Sequence, residues 1–233
     1  MKYSLTILTI CLFSIIAFKA QAQYDTEIDF GLRLKYGITR FSEVDKKEVE
    51  SQGGDFDANS ISFGAFLQLR VNHFYFQPEL IINRVSTGLG NNFGSSVTEY
   101  SHGKYEFNFN SIELPLLLGY RTGFGNAAVR FGAGPMFSYL MSVKGDLLLT
   151  RRGDGSIETR PMDQDVLDSF NTISLGARMG IGVDVGPFLV DVMYERAFSK
   201  VGEEIASITP VVAGKESSFL IAVGYKLIRS KIE

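Results

Sequence analysis

From Ile28 to Ile38 the chain reads IDFGLRLKYGI, and every second residue is apolar. Ile28, Phe30, Leu32, Leu34, Tyr36 and Ile38 alternate with Asp29, Gly31, Arg33, Lys35 and Gly37. Successive side chains of a strand leave on opposite faces, so this period of two predicts a strand with one apolar and one polar face. SISFGAFLQLRV, 60–71, repeats the pattern, with Ile61, Phe63, Ala65, Leu67, Leu69 and Val71 opposed by Gly64, Gln68 and Arg70. FYFQPELIIN, 74–83, sets Phe74, Phe76, Leu80 and Ile82 against Gln77, Glu79 and Asn83. Five further segments at about 104–121, 127–139, 169–184, 188–198 and 217–228 bring the expected strands to eight. Many aromatics and glycines, 19 Phe, 10 Tyr and 24 Gly against 6 Pro, fit strands and tight turns.

The links between these segments alternate in length. Residues 39–59, 84–103, 140–168 and 199–216 are long, rich in charge, Ser, Gly and Asn; 72–73, 122–126 and 186–187 are short. Short turns at one end and long loops at the other are the pattern of a membrane barrel with periplasmic turns and external loops. The expected fold is all-β, an eight-stranded antiparallel transmembrane β-barrel of the outer-membrane type, with both termini on the periplasmic side. A soluble barrel such as a lipocalin shows the same alternation in the reverse sense, apolar face inward. Glycine and charge crowd one face here and bulky apolar residues the other, and the long loops are excessive for a soluble barrel, which favours the membrane.

On that reading the polar phase points into the barrel. Its charged residues are Arg33, Lys35, Arg70, Glu79, Glu113, Arg130, Arg178, Asp191, Glu195 and Lys226. A basic side chain facing lipid at mid-membrane costs about 2–4 kcal/mol. Inside a narrow barrel the two signs can pair, and buried charge requires a partner. The plainest expectation is a structural ion-pair network filling the interior; the other is a polar conduit or small-ligand site. Eight strands enclose side chains or one small ligand, which excludes a wide pore.

Composition narrows the rest. Lys2, the apolar run Tyr3–Phe18 and Ala20-Gln21-Ala22 have the form of a secretory signal peptide over residues 1–22, leaving the barrel domain as 23–233. The lone Cys11 lies in that run, so the remaining chain has no thiol chemistry. Without Lys2 and Lys19 the 23 basic residues become 21, against 26 acidic, a net of −5 that disfavours nucleic acid. The only histidines, His73 in a tight turn and His102 in a long loop, lack a Ser/Asp arrangement. No metal-ligand cluster, cofactor motif or enzyme chemistry is expected. GFGNAAVRFGAG has close glycines without the helix that a nucleotide loop needs. Arg152-Gly153-Asp154 is a three-residue adhesion match in a long loop, most simply solvated charge.

IELPLLLGYR, 112–121, changes the phase of its strand. Upstream, Tyr105, Phe107 and Phe109 put the apolar phase on odd positions; from Ile112 through Leu114, Leu116, Leu118 and Tyr120 it is even. One inserted residue, a β-bulge, between Phe109 and Ile112 is the simplest cause. Glu113 then points inward, with Leu117 as an apolar exception. Pro115, unable to donate a ladder hydrogen bond, implies a local irregularity.

YFQPELIIN, NSIELPLLLGYR, VRFGAGPMFSYL and GARMGIGVDVGPFLVDVMYERAF together resemble the outer-membrane β-barrel domain family of Bacteroidetes, which is similar to the PorT proteins. The resemblance spans the mature chain through Pro78, Glu79, Glu113, Pro115, Gly134, Pro135, Tyr194 and Glu195. It implies an integral outer-membrane protein that meets membrane lipid and lipopolysaccharide, a monomer, with no catalytic role at those positions. PorT proteins are associated with protein secretion and gliding. Two roles are therefore expected: a structural or interaction scaffold working through external loops, whose partners are envelope proteins, or a secretion accessory or narrow channel. The chain ends IRSKIE rather than in the aromatic residue common among such barrels.

Overall fold

The computed structural model describes residues 26–42, 56–92, 99–124, 126–162, 170–199 and 215–232. The expected signal segment, 1–22, lies outside them, as do the middles of the long links. Among the described residues there are nine strands: β1 Thr26–Ser42, β2 Phe56–Val71, β3 Phe74–Asn92, β4 Tyr100–Phe124, β5 Ala127–Arg151, β6 Ile157–Pro161, β7 Ile173–Val185, β8 Phe188–Ala197 and β9 Lys215–Ile232. Each pairs antiparallel with its neighbour. β4 also pairs β5 and β1 pairs β9, so eight strands close a ring and β6 lies outside it on β5.

The burial pattern is that of a soluble protein turned inside out. Leu34, Tyr36, Ile38, Phe63, Ile82, Leu118, Ile181, Val192, Ile221 and Val223 stand exposed around the outside. Arg33, Arg130 and Arg178, each no more than 2% exposed, are among the largest buried side chains. On β1 the outward apolar run Ile28–Ile38 covers ten residue steps, about 33 Å of strand at ~3.3 Å per residue. Tilted at about 40° this makes a band roughly 25 Å tall, the height of a lipid-facing belt. Aromatics edge the band. Phe74 packs on Tyr120 and Phe188 on Tyr225 near the turns, with centroids 5.4 and 5.2 Å apart, and Tyr194 on Phe219 at 4.9 Å near the loops.

The two ends differ. At one, Asn72-His73 and Gly186-Pro187 make two-residue turns; Asn72 and Gly186 take φ of 55° and 58°, a left-handed conformation that asparagine and glycine tolerate. His73 stacks on Tyr120 there, 5.4 Å between centroids. Strand ends Thr26 and Ile232 also meet at this turn end. At the opposite loop end the strands run on past the band, so all four expected long links are partly strand. β3 continues to Asn92, β4 begins at Tyr100, and β5 extends to Arg151 before folding back as β6. His102, expected in a loop, is a β4 residue paired with Asn92 and Thr150. Arg152, Gly153 and Asp154 form the exposed β5–β6 turn.

The expected bulge in the fourth strand falls on its partner instead. Against β3, β4 keeps one register from His102 to Tyr120. The shift lies between β4 and β5: Asn110 faces Ser142 and Ser111 faces Leu140, leaving Met141 as the extra residue. Phe107 and Phe109 therefore share the inward phase of Ser111 and Glu113. They are not lipid-facing. Above the band that phase becomes an apolar cluster, in which Phe107 and Phe109 meet Phe170 at 5.9 and 5.0 Å, flanked by Leu140, Val143 and Met162. Around Pro115 the ladder is interrupted, with Pro78 facing Leu116 and the next pair at Ile81 and Glu113.

Candidate functional site

The inward phase of every ring strand carries charge, and packing on small residues decides how closely these side chains gather. Gly31 on β1 lets the Phe66 ring lie against the wall; a Cβ there would come within 2.5 Å of the ring. Gly119 and Gly132 do the same for Tyr75, with 2.2 Å and 2.4 Å to its ring and hydroxyl. Phe66 in turn sits under the Arg33 guanidinium, 5.3 Å from ring centroid to Cζ.

Nine of the ten sequence-selected residues form one connected network. Near the turns, Lys226 Nζ bridges Asp29 (2.7 Å) and Asp184 (3.1 Å). At mid-height Arg130 joins Asp184 (2.5 Å) to Asp191 (2.8 Å), and Arg33 joins Asp191 (2.9 Å) to Glu79. Toward the loops Arg178 meets Glu79 at 2.9 Å, Glu113 at 2.8 Å and Glu195 at 2.5 Å. Lys35 lies between Glu113 (3.6 Å) and Glu195 (3.5 Å). The tenth, Arg70, stands apart at the turn-end rim, paired with Glu27.

Residues outside the initial set complete the network. Asp29 and Asp184 supply its turn-end anions, and Arg121 Nε holds Asp184 at 3.0 Å. Gln77 donates to Glu79 at 2.6 Å, Gln68 to Gln77 at 2.7 Å, and Asn83 to Glu113 at 2.7 Å. All lie on the inward phase of their strands, so the alternation itself marks them. The carboxylates are thus engaged by guanidinium, ammonium or amide groups. That arrangement fills space and fixes register. Among the described residues no group of three or more His, Cys, Asp or Glu is placed to hold a metal ion.

Above the network the barrel opens into a cavity of about 720 Å³, counting space open to solvent. Glu113, Glu195 and Glu216 lie at its base, with Phe109, Leu140 and Val85 on its walls. A smaller cavity of about 270 Å³ lies lower, among Tyr75, Gln77, Leu117, Arg130 and Met193. Between and around them the ion pairs occupy the bore.

Three comparisons bear on identity. Solved structures similar to the chain include the outer membrane enzyme PagL, at 10% identity and TM-score 0.44, covering 84% of this chain and 99% of PagL. OprG from Pseudomonas aeruginosa follows at 11% and 0.42, covering 88% and 96%. Neisserial surface protein A follows at 15% and 0.38, covering 87% and 97%. No curated protein matches the chain significantly. The model of the outer membrane protein beta-barrel domain family matches residues 16–202, most of the chain. The chain belongs to that family, and its place is the outer membrane.

Proposed function

We propose, taking membership of the outer-membrane barrel family as the premise, that the protein is a non-enzymatic interaction scaffold. The barrel anchors it, and the sheet extension at the loop end is its working surface, facing the cell exterior. One observation carries this reading: the bore is filled by paired charge while the strands continue far beyond the lipid band. β4 and β5 each have 25 residues, whereas a spanning strand needs about 9–11. The surplus is an ordered platform with its own aromatic core around Phe107 and a charged outer tip. There Tyr100 donates to Glu158 at 2.7 Å and Arg160 binds Glu158 at 2.8 Å. Strands this regular, away from lipid, suit a surface that a partner reads as a fixed shape.

The experiment replaces Asp146–Pro161 with a short Gly-Ser linker. Met162 N already bonds Gly145 O at 3.0 Å, so the excision joins neighbouring points. Heat-modifiable migration on a gel would verify that the barrel assembles. Site-specific cross-linking in native membranes should then lose its envelope-protein adducts. A fall in secreted protein on the same excision favours the PorT-like accessory role of this platform over the purely structural one. If neither adducts nor secretion change while the barrel assembles, the platform reading is wrong.

A further inference from the structure

On three adjacent strands the outward apolar run is interrupted at a single row, beyond which Phe198 is exposed at the end of β8. Outward from β1 come Leu34, Tyr36 and Ile38, then Arg40; from β8 come Val190, Val192 and Tyr194, then Arg196; from β9 come Val223, Ile221 and Phe219, then Ser217. Arg40 and Arg196 both pair with Ser217, from opposite sides. The two arginines therefore flank one serine across two strand spacings, roughly 9–10 Å between backbones. Lys215, one outward position further along β9, adds a third cation to the same face. Both arginines are exposed, and among the described residues no carboxylate pairs with either.

The cations at the turn end are arranged differently, on the same phase as the inward Asp29 and Glu27 that they face. Arg229 is held by Asp29 at 3.3 Å and Lys231 by Glu27 at 3.7 Å. Charge at the lower edge of the band is thus compensated by the protein itself, and charge in the Arg40–Ser217–Arg196 row is not. An arginine pair at the boundary of the hydrocarbon layer meets lipid headgroups, and guanidinium forks match phosphate oxygens. The aromatic pair Tyr194–Phe219, directly below, offers a flat apolar face to the acyl chains of the same molecule.

We propose that Arg40 and Arg196, with Ser217 between them, form a binding site for the phosphorylated head of a membrane glycolipid, of the lipopolysaccharide class, in the leaflet at the loop end. That this leaflet is the outer one rests on the orientation proposed above. The binding chemistry does not, and the assay on purified protein is independent of orientation.

The test titrates purified full-length protein in zwitterionic micelles with bisphosphorylated lipid A, counting bound lipid by native mass spectrometry. Two lost cations at an anionic headgroup predict about 30-fold weaker binding for the Arg40→Gln/Arg196→Gln double variant. Lys231→Gln, at the turn end, should bind as the natural protein does. Both variants alter exposed side chains, and heat-modifiable migration verifies their folding. Lipid A stripped of its phosphates should bind the natural protein as weakly as the phosphorylated lipid binds the double variant. Inorganic phosphate in excess should not displace the lipid, because the acyl chains hold it at the band. Binding within twofold of natural by the double variant, equal binding of dephosphorylated lipid A, or displacement by free phosphate would each overturn the assignment.

Discussion

Arg178 shows how much of the interior depends on single side chains. Its guanidinium engages Glu79, Glu113 and Glu195, carried on three different strands. Removing one partner from a buried ionic cluster leaves uncompensated charge, which costs about 3–5 kcal/mol, whereas neutralising both signs together is far milder. Arg178→Met is therefore expected to destabilise the folded barrel by about 3–5 kcal/mol, and adding Glu113→Gln to recover part of that. Urea titration of the heat-modifiable fraction measures both; a single-variant loss below about 1 kcal/mol would contradict a buried, mutually dependent network. At this scale the sequence is a good guide. Arg33, Glu79, Arg178 and Glu195 are identifiable from phase alone, because one face of each strand is forced to be apolar by lipid. The phase also marks Asp29, Asp184 and Gln77. What it does not contain is the pairing, since Arg33 meets Asp191 only through the closure of the ring.

Elements show where that guide fails. Within the band one face must be apolar, so period two is plain in β1, β7 and β9. Above it both faces of the extension are solvated or packed on a small local cluster. RVSTGLGNN, 84–92, then loses the alternation and reads as a loop although it is strand. The same loss of constraint explains the misplaced bulge: Phe107 and Phe109 are apolar on the inward phase because they pack on Phe170. The β5–β6 hairpin at the tip has its own pH dependence. The Arg160 guanidinium, and then the Tyr100 hydroxyl, hydrogen-bond the Glu158 carboxylate and hold its pKa below the ordinary carboxylate value. Asp154 is lowered likewise by Ser156, while Arg151 and Glu99 pair at 3.2 Å on the neighbouring strand ends. For a carboxyl with a depressed folded pKa, the stabilising contribution is present above its unfolded pKa and disappears as pH falls through the folded one. Amides 157–161 should therefore lose hydrogen-exchange protection on acidification from about pH 5 downward. Comparison with Glu158→Gln isolates this carboxyl from Asp154; an identical acid response in the two proteins would remove Glu158 as its source.

For the whole molecule, the inside-out distribution of side chains sets what can cross it. The two cavities are separated by ion pairs linking all sides of the bore, from Lys226 and Asp29 near the turns to Lys35 and Glu195 toward the loops. Eight strands leave room for side chains or one small ligand. Purified protein in planar bilayers is therefore expected to give no discrete conductance steps. Well-resolved, reproducible steps would favour the channel reading over the scaffold and require the Arg33–Asp191 and Arg130–Asp191 contacts to open. The ring and its lipid belt were legible because the bilayer imposes one strict rule on every strand it touches. The platform was not, because nothing outside the bilayer imposes a comparable rule.

The pairing of β1 with β9 carries a consequence for biogenesis. The ring closes between β1 and β9, the first and the last of its strands to be made. Every other ring contact joins strands that follow one another around the ring, but this seam waits for β9. Until β9 is made, the inward charges lack one wall and two strand edges keep unsatisfied amides that lipid cannot accept. Closure of the ring within lipid must therefore follow synthesis of β9.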